Sequence, residues 1–270
     1  GIAERAAREF EVHVCALTRG GPLEAELARA GIPVTVIGKR GKLDPLAYYR
    51  LVHHIRRLRP AVVHTWMFAA NSYGRAAAMR QHVPHLIASE RCVDPWKEWH
   101  QLTIDRYLAR RTERIVVNSP GVRDFYVQQG LPAEKFTIIP NGIDPREIAP
   151  VEEASPDARR KLLVELGLPL GSRMIAAVGR LWPQKRVKDL IWATDLFKVL
   201  RDDVHLLVIG DGPQRPVLER YTRLLELSDR VHFLGHRADV PQILPHIDCL
   251  WLGSEYEGLP NVVMEAMLAG

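Results

Sequence analysis

The feature that most constrains this chain is an alternation. Short apolar runs alternate with longer stretches of helical spacing, and only a few residues connect them. In the first half, the strand-like runs are 11–17, 33–37, 61–65, 85–88, 114–117 and 136–139. The helical stretches between them are 22–30, 45–59, 69–81, 96–111 and 119–129. The second half repeats the pattern, with strands expected at 174–178, 204–209, 231–235 and 247–252. Helices are expected from 155 to a stop at Gly167, from near Val187, after Gly212 and after Pro260. Strands joined by crossover helices make parallel sheets covered on both faces. Such sheets take their ligands at the C-terminal ends of their strands. The loops that leave strands are therefore where functional residues are expected.

At roughly 150 residues per domain, 270 residues suffice for two domains. Pro140 and Gly142 end the strand at 136–139 and turn the chain. The stretch 144–157, rich in Pro, Glu and Ala, reads as a linker. Ser155 then stands at an N-cap and Pro156 at the first helical position. The expected domains are residues 1–145 and 146–270. Residues 1–8 read as the later part of a helix with no strand before it, and Gly270 falls where a helix would hand over to a strand. A first strand and C-terminal elements are thus expected to be missing.

The net charge of +5 and pI near 9.2 admit a nucleic acid, an anionic membrane surface or a phosphorylated substrate. No Lys/Arg block is interleaved with aromatics, which argues against nucleic acid. In the helix 45–59, Leu46, Tyr49, Val52, Ile55 and Leu58 form one stripe and leave Arg50, His53, His54, Arg56 and Arg57 outward. That basic face is either solvated or meets an anionic membrane peripherally. Cys15, Cys92 and Cys249 lack metal spacing. Cys15 and Cys249 lie in apolar runs and read as buried free thiols of a reducing, cytoplasmic compartment. No apolar run approaches the roughly 18 residues of a membrane span.

Residues 254–270 carry the strongest signal. An apolar run at 247–252 leads to Gly258 and Pro260, after which Val262, Val263, Ala266 and Met267 repeat at helical spacing. A helix N-terminus opening from such a turn offers unpaired N–H groups and partial positive charge to a phosphate. Glu257 in the turn and Glu265 about two turns along are placed to grip hydroxyls on either side of one bound group, or are a turn residue and a solvated helix residue. Arg180 and Lys185 leave the strand 174–178 beside the helix opening at Val187, a place for a diphosphate. Gly210-Asp-Gly-Pro213 turns sharply and permits close backbone approach, and His236 and Arg237 follow the strand at 231–235. In the first half, His64 ends a strand, as a functional group or as a hydrogen-bonded structural residue, and Asn71 and Gly74 either let the next helix approach the cleft or simply cap it. Ser89, Glu90 and Arg91 end the strand after it. Glu90 and Arg91 either position an acceptor hydroxyl or anion, or close a loop as an ion pair. No G-x-G-x-x-G follows a strand, which disfavours a dinucleotide oxidoreductase. There is no D-x-D to hold a metal-bound diphosphate.

The run Glu257-Gly-Leu-Pro-Asn-Val-Val-Met-Glu265-Ala-Met resembles the signature of family-four retaining glycosyltransferases of the GT-B fold. Ile138-Ile-Pro-Asn-Gly-Ile-Asp144, Gly179-Arg-Leu with Lys185, Gly210-Asp-Gly-Pro213 and Val231-His-Phe-Leu-Gly235 resemble further family motifs. The resemblance implies an α/β fold of two Rossmann-like domains facing each other across a cleft. It implies transfer of a sugar from a nucleoside diphosphate sugar to an acceptor hydroxyl on a glycan or lipid-linked molecule. Glu257 would contact the donor sugar, Glu265 the ribose, and Arg180 and Lys185 the diphosphate. Gly212, Gly258 and Leu259 would lie along the nucleotide, and His236 and Arg237 would flank the base. No cofactor and no metal are implied. His64 matches a family V-V-H, with Trp66 where a second His often stands. Arg186 follows Lys185 where Gly is common. Ser89, Glu90 and Arg91 replace a segment that carries a catalytic His in many relatives, which keeps a non-catalytic nucleotide- or partner-binding relative as the alternative.

Overall fold

The structure, a computed structural model, describes residues 9–148 and 156–270. The reading of residues 1–8 as a helix end and the Ser155 cap lie outside the described residues, as does the linker from 149 to 155. The chain divides into two compact units, Gly1–Pro140 and Asn141–Gly270.

In unit 1, β1 (Val14–Ala16), α1 (Glu24–Arg29) and β2 (Val34–Val36) make a two-stranded parallel sheet. A second parallel sheet has the order β3 (Val62–Trp66), β4 (His85–Glu90), β5 (Arg114–Val117), β6 (Phe136–Ile138). The helices are α2 (Pro45–Leu58), α3 (Phe68–Arg80), α4 (Trp99–Ala109) and α5 (Pro120–Gln128). Their ends follow local chemistry. Asp44 accepts the Ala47 N–H at 2.9 Å ahead of Pro45, and Ser119 accepts the Val122 N–H ahead of Pro120. Gly74 is required where α3 crosses β3, since a Cβ there would sit 2.5 Å from Thr65 Cγ2.

Helix α2 corrects the sequence reading of its faces. Its buried line is Ala47, Leu51 and Ile55, packed with Ala77, Ala78 and Leu86. Leu46 and Tyr49, expected inside, are exposed, while His54, expected outside, is part-buried with a Nε2 atom that has no hydrogen-bond partner. The small Ala47 wins the inner position because the contact with the alanines of α3 is close.

In unit 2, α6 (Pro156–Glu165) precedes a parallel sheet of order β10 (Cys249–Leu250), β7 (Arg173–Val178), β8 (Val204–Ile209), β9 (Val231–Gly235). The helices α7 (Val187–Lys198), α8 (Arg215–Leu224), α9 (Val240–Ile243) and α10 (Asn261–Ala269) complete it. Every residue of β8 is buried, as expected of a central strand of a parallel sheet covered on both faces. The unit begins five residues before the expected boundary, and local bonds give the reason. Asn141 Nδ2 donates to Leu259 O and Asn261 Oδ1, and Ile143 and Ile148 pack with Leu244, Leu250 and Ala269.

The three cysteines are free, but Cys15 and Cys249 are exposed rather than buried. β10 is an edge strand and β1 belongs to a sheet of two, so both residues keep exposed surface, although burial of the sulfur itself still pushes the Cys15 thiol up to about 11.

Candidate active site

The C-terminal edge of the unit 2 sheet gathers most of the residues singled out by motif. Three exit loops interlock there. After β7, Gly179 (φ +152°) donates its N–H to Ile209 O, and the Leu181 N–H reaches Asp211 O at 2.9 Å. After β8, Gly210 and Gly212 lie hard against that loop. A Cβ on Gly210 would fall 1.9 Å from Gly179 O, and one on Gly212 would fall 2.6 Å from Leu181 O. The glycines of Gly210-Asp-Gly-Pro213 are thus explained by loop-on-loop packing within the protein. After β10, Gln184 Nε2 donates to Tyr256 O at 2.7 Å, and the Glu255 N–H donates to Gln184 O at 2.9 Å.

This stitching brings together two groups 72 residues apart. Lys185 Nζ donates to Glu257 Oε1 at 2.5 Å, with each side chain about one-fifth exposed. The Arg180 guanidinium lies over the Trp182 ring, 6.0 Å from its centroid, on the same loop. Gly258 and Leu259 lead into α10. Pro260 occupies the N-cap position of this helix and no side chain caps it, so its first N–H groups open toward this edge. Glu265 is half-buried on the second turn of α10. Lys185, Glu257, Gly258, Leu259 and the backbone around Gly212 therefore belong to one stitched loop cluster with Arg180, and Glu265 follows from it along the helix. Chemically, the cluster offers two cations, an uncapped helix end and a carboxylate already paired to one of the cations.

Arg237 does not join the cluster through its guanidinium. It is clasped by Asp239 at 2.5 and 2.8 Å and by Glu165 at 2.7 Å. Those two carboxylates push its pKa above the already high arginine value. Sequence reading missed Asn141, whose two hydrogen bonds brace the turn before α10. Its place in Ile138-Ile-Pro-Asn-Gly was visible, but it read as a boundary because its partners lie about 120 residues on.

Unit 1 places Glu90 at the end of β4 and Arg91 just after it, whereas His64, expected at a strand end, is the middle residue of β3, which runs two residues further to Trp66. His64 Nε2 pairs with Ser89 Oγ at 2.8 Å, and its ring stacks on Trp66 with centroids 3.8 Å apart. Burial, helped by the Arg91 charge, pushes the His64 pKa down to about 4, which leaves the ring neutral near pH 7. Glu90 is only 5% exposed and accepts from Asn71 Nδ2 at 2.9 Å. It sits in a charged interior cluster around Lys97, whose side chain is 0% exposed. Lys97 Nζ is 2.9 Å from Asp105, 3.4 Å from Glu90, 3.3 Å from Asp94 and 3.0 Å from the Tyr126 hydroxyl. Arg75 closes the cluster with a 2.5 Å pair to Asp105. Burial pushes the Glu90 carboxyl up to about 6 against the pull of Lys97. Burial also opposes the Lys97 charge, but Glu90, Asp105 and Asp94 outweigh it and raise its pKa. Of its partners only Asp94 is a near neighbour in sequence; Glu90, Asp105 and Tyr126 come from β4, α4 and α5, a convergence that local spacing does not encode.

The chain is 27% identical over 245 residues to the UDP-Gal:alpha-D-GlcNAc-diphosphoundecaprenol alpha-1,3-galactosyltransferase of Escherichia coli, covering 83% of the chain and 59% of that protein. It is 26% identical over 233 residues to the GDP-mannose-dependent alpha-mannosyltransferase of Mycobacterium tuberculosis, covering 82% and 57%. The chain thus spans less than two thirds of the length of these relatives. The crystal structure of HepE from Anabaena in complex with UDP-glucose superposes with a TM-score of 0.82 at 26% identity, over 99% of this chain and 72% of that one. This agrees with the α/β, Rossmann-like GT-B architecture. The family model for Glycosyl transferases group 1 matches residues 158–270, which hold the loop cluster. The model for Glycosyltransferase Family 4 matches residues 2–147, more than half of the 270, and the chain belongs to that family.

Proposed function

We propose that the protein is a retaining glycosyltransferase that moves a sugar from a nucleoside diphosphate sugar to an acceptor hydroxyl. The acceptor is a glycan or lipid-linked molecule of cell-envelope polysaccharide, lipid-linked glycan or glycolipid synthesis. The observation that carries this reading is the pairing of Lys185, from the loop that also carries Arg180, with Glu257, just ahead of the uncapped N-terminus of α10. Breaking the anomeric C–O bond leaves charge on the departing diphosphate. Preorganised cations and N–H dipoles are what lower that barrier. Arg180 and Lys185 take the diphosphate, Glu257 the donor sugar, and Glu265 the ribose. Side-chain cations stand in for a metal, so the reaction proceeds without a dissociable ion. No carboxylate is assigned as a covalent nucleophile, and the leaving phosphate takes the acceptor proton on the same face. His64, neutral near pH 7, acts on the acceptor side as a hydrogen-bonding group rather than as a cation, and Arg91 completes that side. The relatives' UDP- and GDP-dependent names support a UDP- or GDP-sugar donor. The protein works from the cytoplasm, peripherally at the inner face of the plasma membrane; among the described residues no helix is long and apolar enough to cross a membrane.

A thermal-shift panel of UDP, GDP, ADP and NAD tests the donor. A ligand at about 100 times its Kd adds roughly 2.7 kcal/mol, a clear rise in melting temperature. UDP or GDP is expected to give that rise and Glu265→Ala to remove it; a rise with NAD alone, or none at all, refutes the reading. Turnover of the matching nucleotide-sugar with membrane extract as acceptor source is expected to survive EDTA. Its absence favours the non-catalytic alternative, and its loss to EDTA refutes the metal-free part.

A further inference from the structure

The net positive charge of this protein is accounted for by one segment of the chain. The chain holds 37 Lys and Arg against 32 Asp and Glu. Residues 39–59 contain Lys39, Arg40, Lys42, Arg50, Arg56, Arg57 and Arg59, and their only acidic residue is Asp44. That segment therefore carries +6, and the rest of the chain, with 30 basic and 31 acidic residues, carries −1. The single carboxylate is occupied locally, accepting the N–H groups of Arg40 and Ala47 at 2.8 and 2.9 Å.

The same segment exposes large apolar side chains. Leu43 is 88%, Leu46 69% and Tyr49 71% exposed. On α2, Leu46, Tyr49, Arg50, His53, Arg56 and Arg57 recur at helical spacing, and all are exposed. They form one outward stripe, apolar in the first turns and cationic in the last, while Ala47, Leu51 and Ile55 anchor the opposite side in unit 1. Arg50 also fixes the preceding loop, donating to Ile37 O at 2.8 Å and Gly38 O at 3.1 Å.

We propose that this stripe and the loop 39–43 dock onto an anionic lipid bilayer, with Leu43, Leu46 and Tyr49 entering the headgroup layer and Lys42, Arg56 and Arg57 lying over acidic headgroups. Charge complementarity selects an anionic partner, and the exposed leucines select lipid among anions. A nucleic acid would use the cations and leave the leucines in water, whereas an interfacial helix uses both. The inference deepens and rests on the peripheral placement proposed above, but its surface is separate from the donor-site residues.

The test is co-sedimentation with phosphatidylglycerol or phosphatidylcholine vesicles across a salt series. The protein is expected to sediment with the former at low salt and to be released as salt rises. Lys42→Ser with Arg56→Ser and Arg57→Ser should weaken binding on the order of 100-fold, at about fivefold per cation removed from an anionic surface. Leu43→Ser with Leu46→Ser and Tyr49→Ser should weaken it about tenfold or more. Leu46→Ser alone reads the apolar contribution if the triple variant does not fold. A protein that stays in the supernatant with phosphatidylglycerol at low salt overturns the proposal. So does an apolar variant that binds like the parent while the charge variant does not, which marks a general polyanion surface. The UDP thermal shift of the same samples reports the donor site separately. Its loss in the parent would count against the donor reading and not against docking.

Discussion

Lys185 and Glu257 hold each other in the ligand-free protein, and this predicts a competition. If a bound diphosphate takes the Lys185 ammonium, it must draw it from a carboxylate oxygen 2.5 Å away. A hydrogen bond between charged groups is worth about 1.5–3 kcal/mol, so Lys185→Ala should weaken UDP binding about 10- to 150-fold. Glu257→Ala should do the opposite. It removes the competing acceptor, and since a pair this close to the surface contributes about 1 kcal/mol or less, UDP should bind up to about fivefold more tightly. Turnover of the UDP-sugar should nevertheless fall in Glu257→Ala, because the proposed contact to the donor sugar is lost. The double variant should bind UDP like Lys185→Ala, since no ammonium remains to be released. Titration calorimetry of UDP into the parent, both single variants and the double variant measures all of this. If Glu257→Ala weakens UDP as much as Lys185→Ala, and the two losses add in the double variant, the exchange reasoning is refuted.

Other outcomes follow from the geometry of single residues. Gly210→Ala sets a Cβ 1.9 Å from Gly179 O at a φ of +137° and should cost about 3 kcal/mol or more in a urea titration, taking the UDP shift with it; a neutral effect would mean the loops are not in contact. Glu90 has a raised folded pKa near 6 against an ordinary 4.5, so its contribution is full below pH 4.5 and is lost as pH rises through 6. The stability of the parent minus that of Glu90→Gln should therefore fall by about 2 kcal/mol between pH 4.5 and 7, and a flat difference would show Glu90 to be solvated. His64 has the opposite sign. Its pKa, pushed down to about 4, means that stability is lost as pH falls below its ordinary 6.5. His64→Gln should make the protein less sensitive to acid by the same measurement, and unchanged acid sensitivity would refute the buried neutral ring.

The alternation of short apolar runs with helical spacing was legible because each element carries its own period, and the strands at 114–117 and 204–209 fall where the pattern places them. What failed was any judgement between two faces that local spacing cannot separate. In α2, 46/49/52/55/58 and 47/51/55 are both helical stripes, and the choice between them was made by alanines on another helix. Cys15 and Cys249 sat in apolar runs, but burial depends on a strand's place in its sheet, which a single run does not encode. The site divides similarly. Arg180, Lys185, Glu257 and Glu265 could be named from their motifs, whereas the bond between Lys185 and Glu257 depends on Gln184 meeting Tyr256 and Glu255 across the sheet edge. Arg237 is visible in sequence as the residue that follows β9 by two, but its carboxylate clasp draws on Glu165, from a helix 72 residues earlier.

The glycine contacts at Gly210 and Gly212 have a practical meaning for anyone wishing to alter what this protein accepts. Because the segments 179–186, 210–214 and 253–258 are seated on one another's backbones, none can be transplanted from a cousin by itself without meeting a foreign neighbour. Chimeras that exchange all three together should retain their shape, and those that exchange one should not.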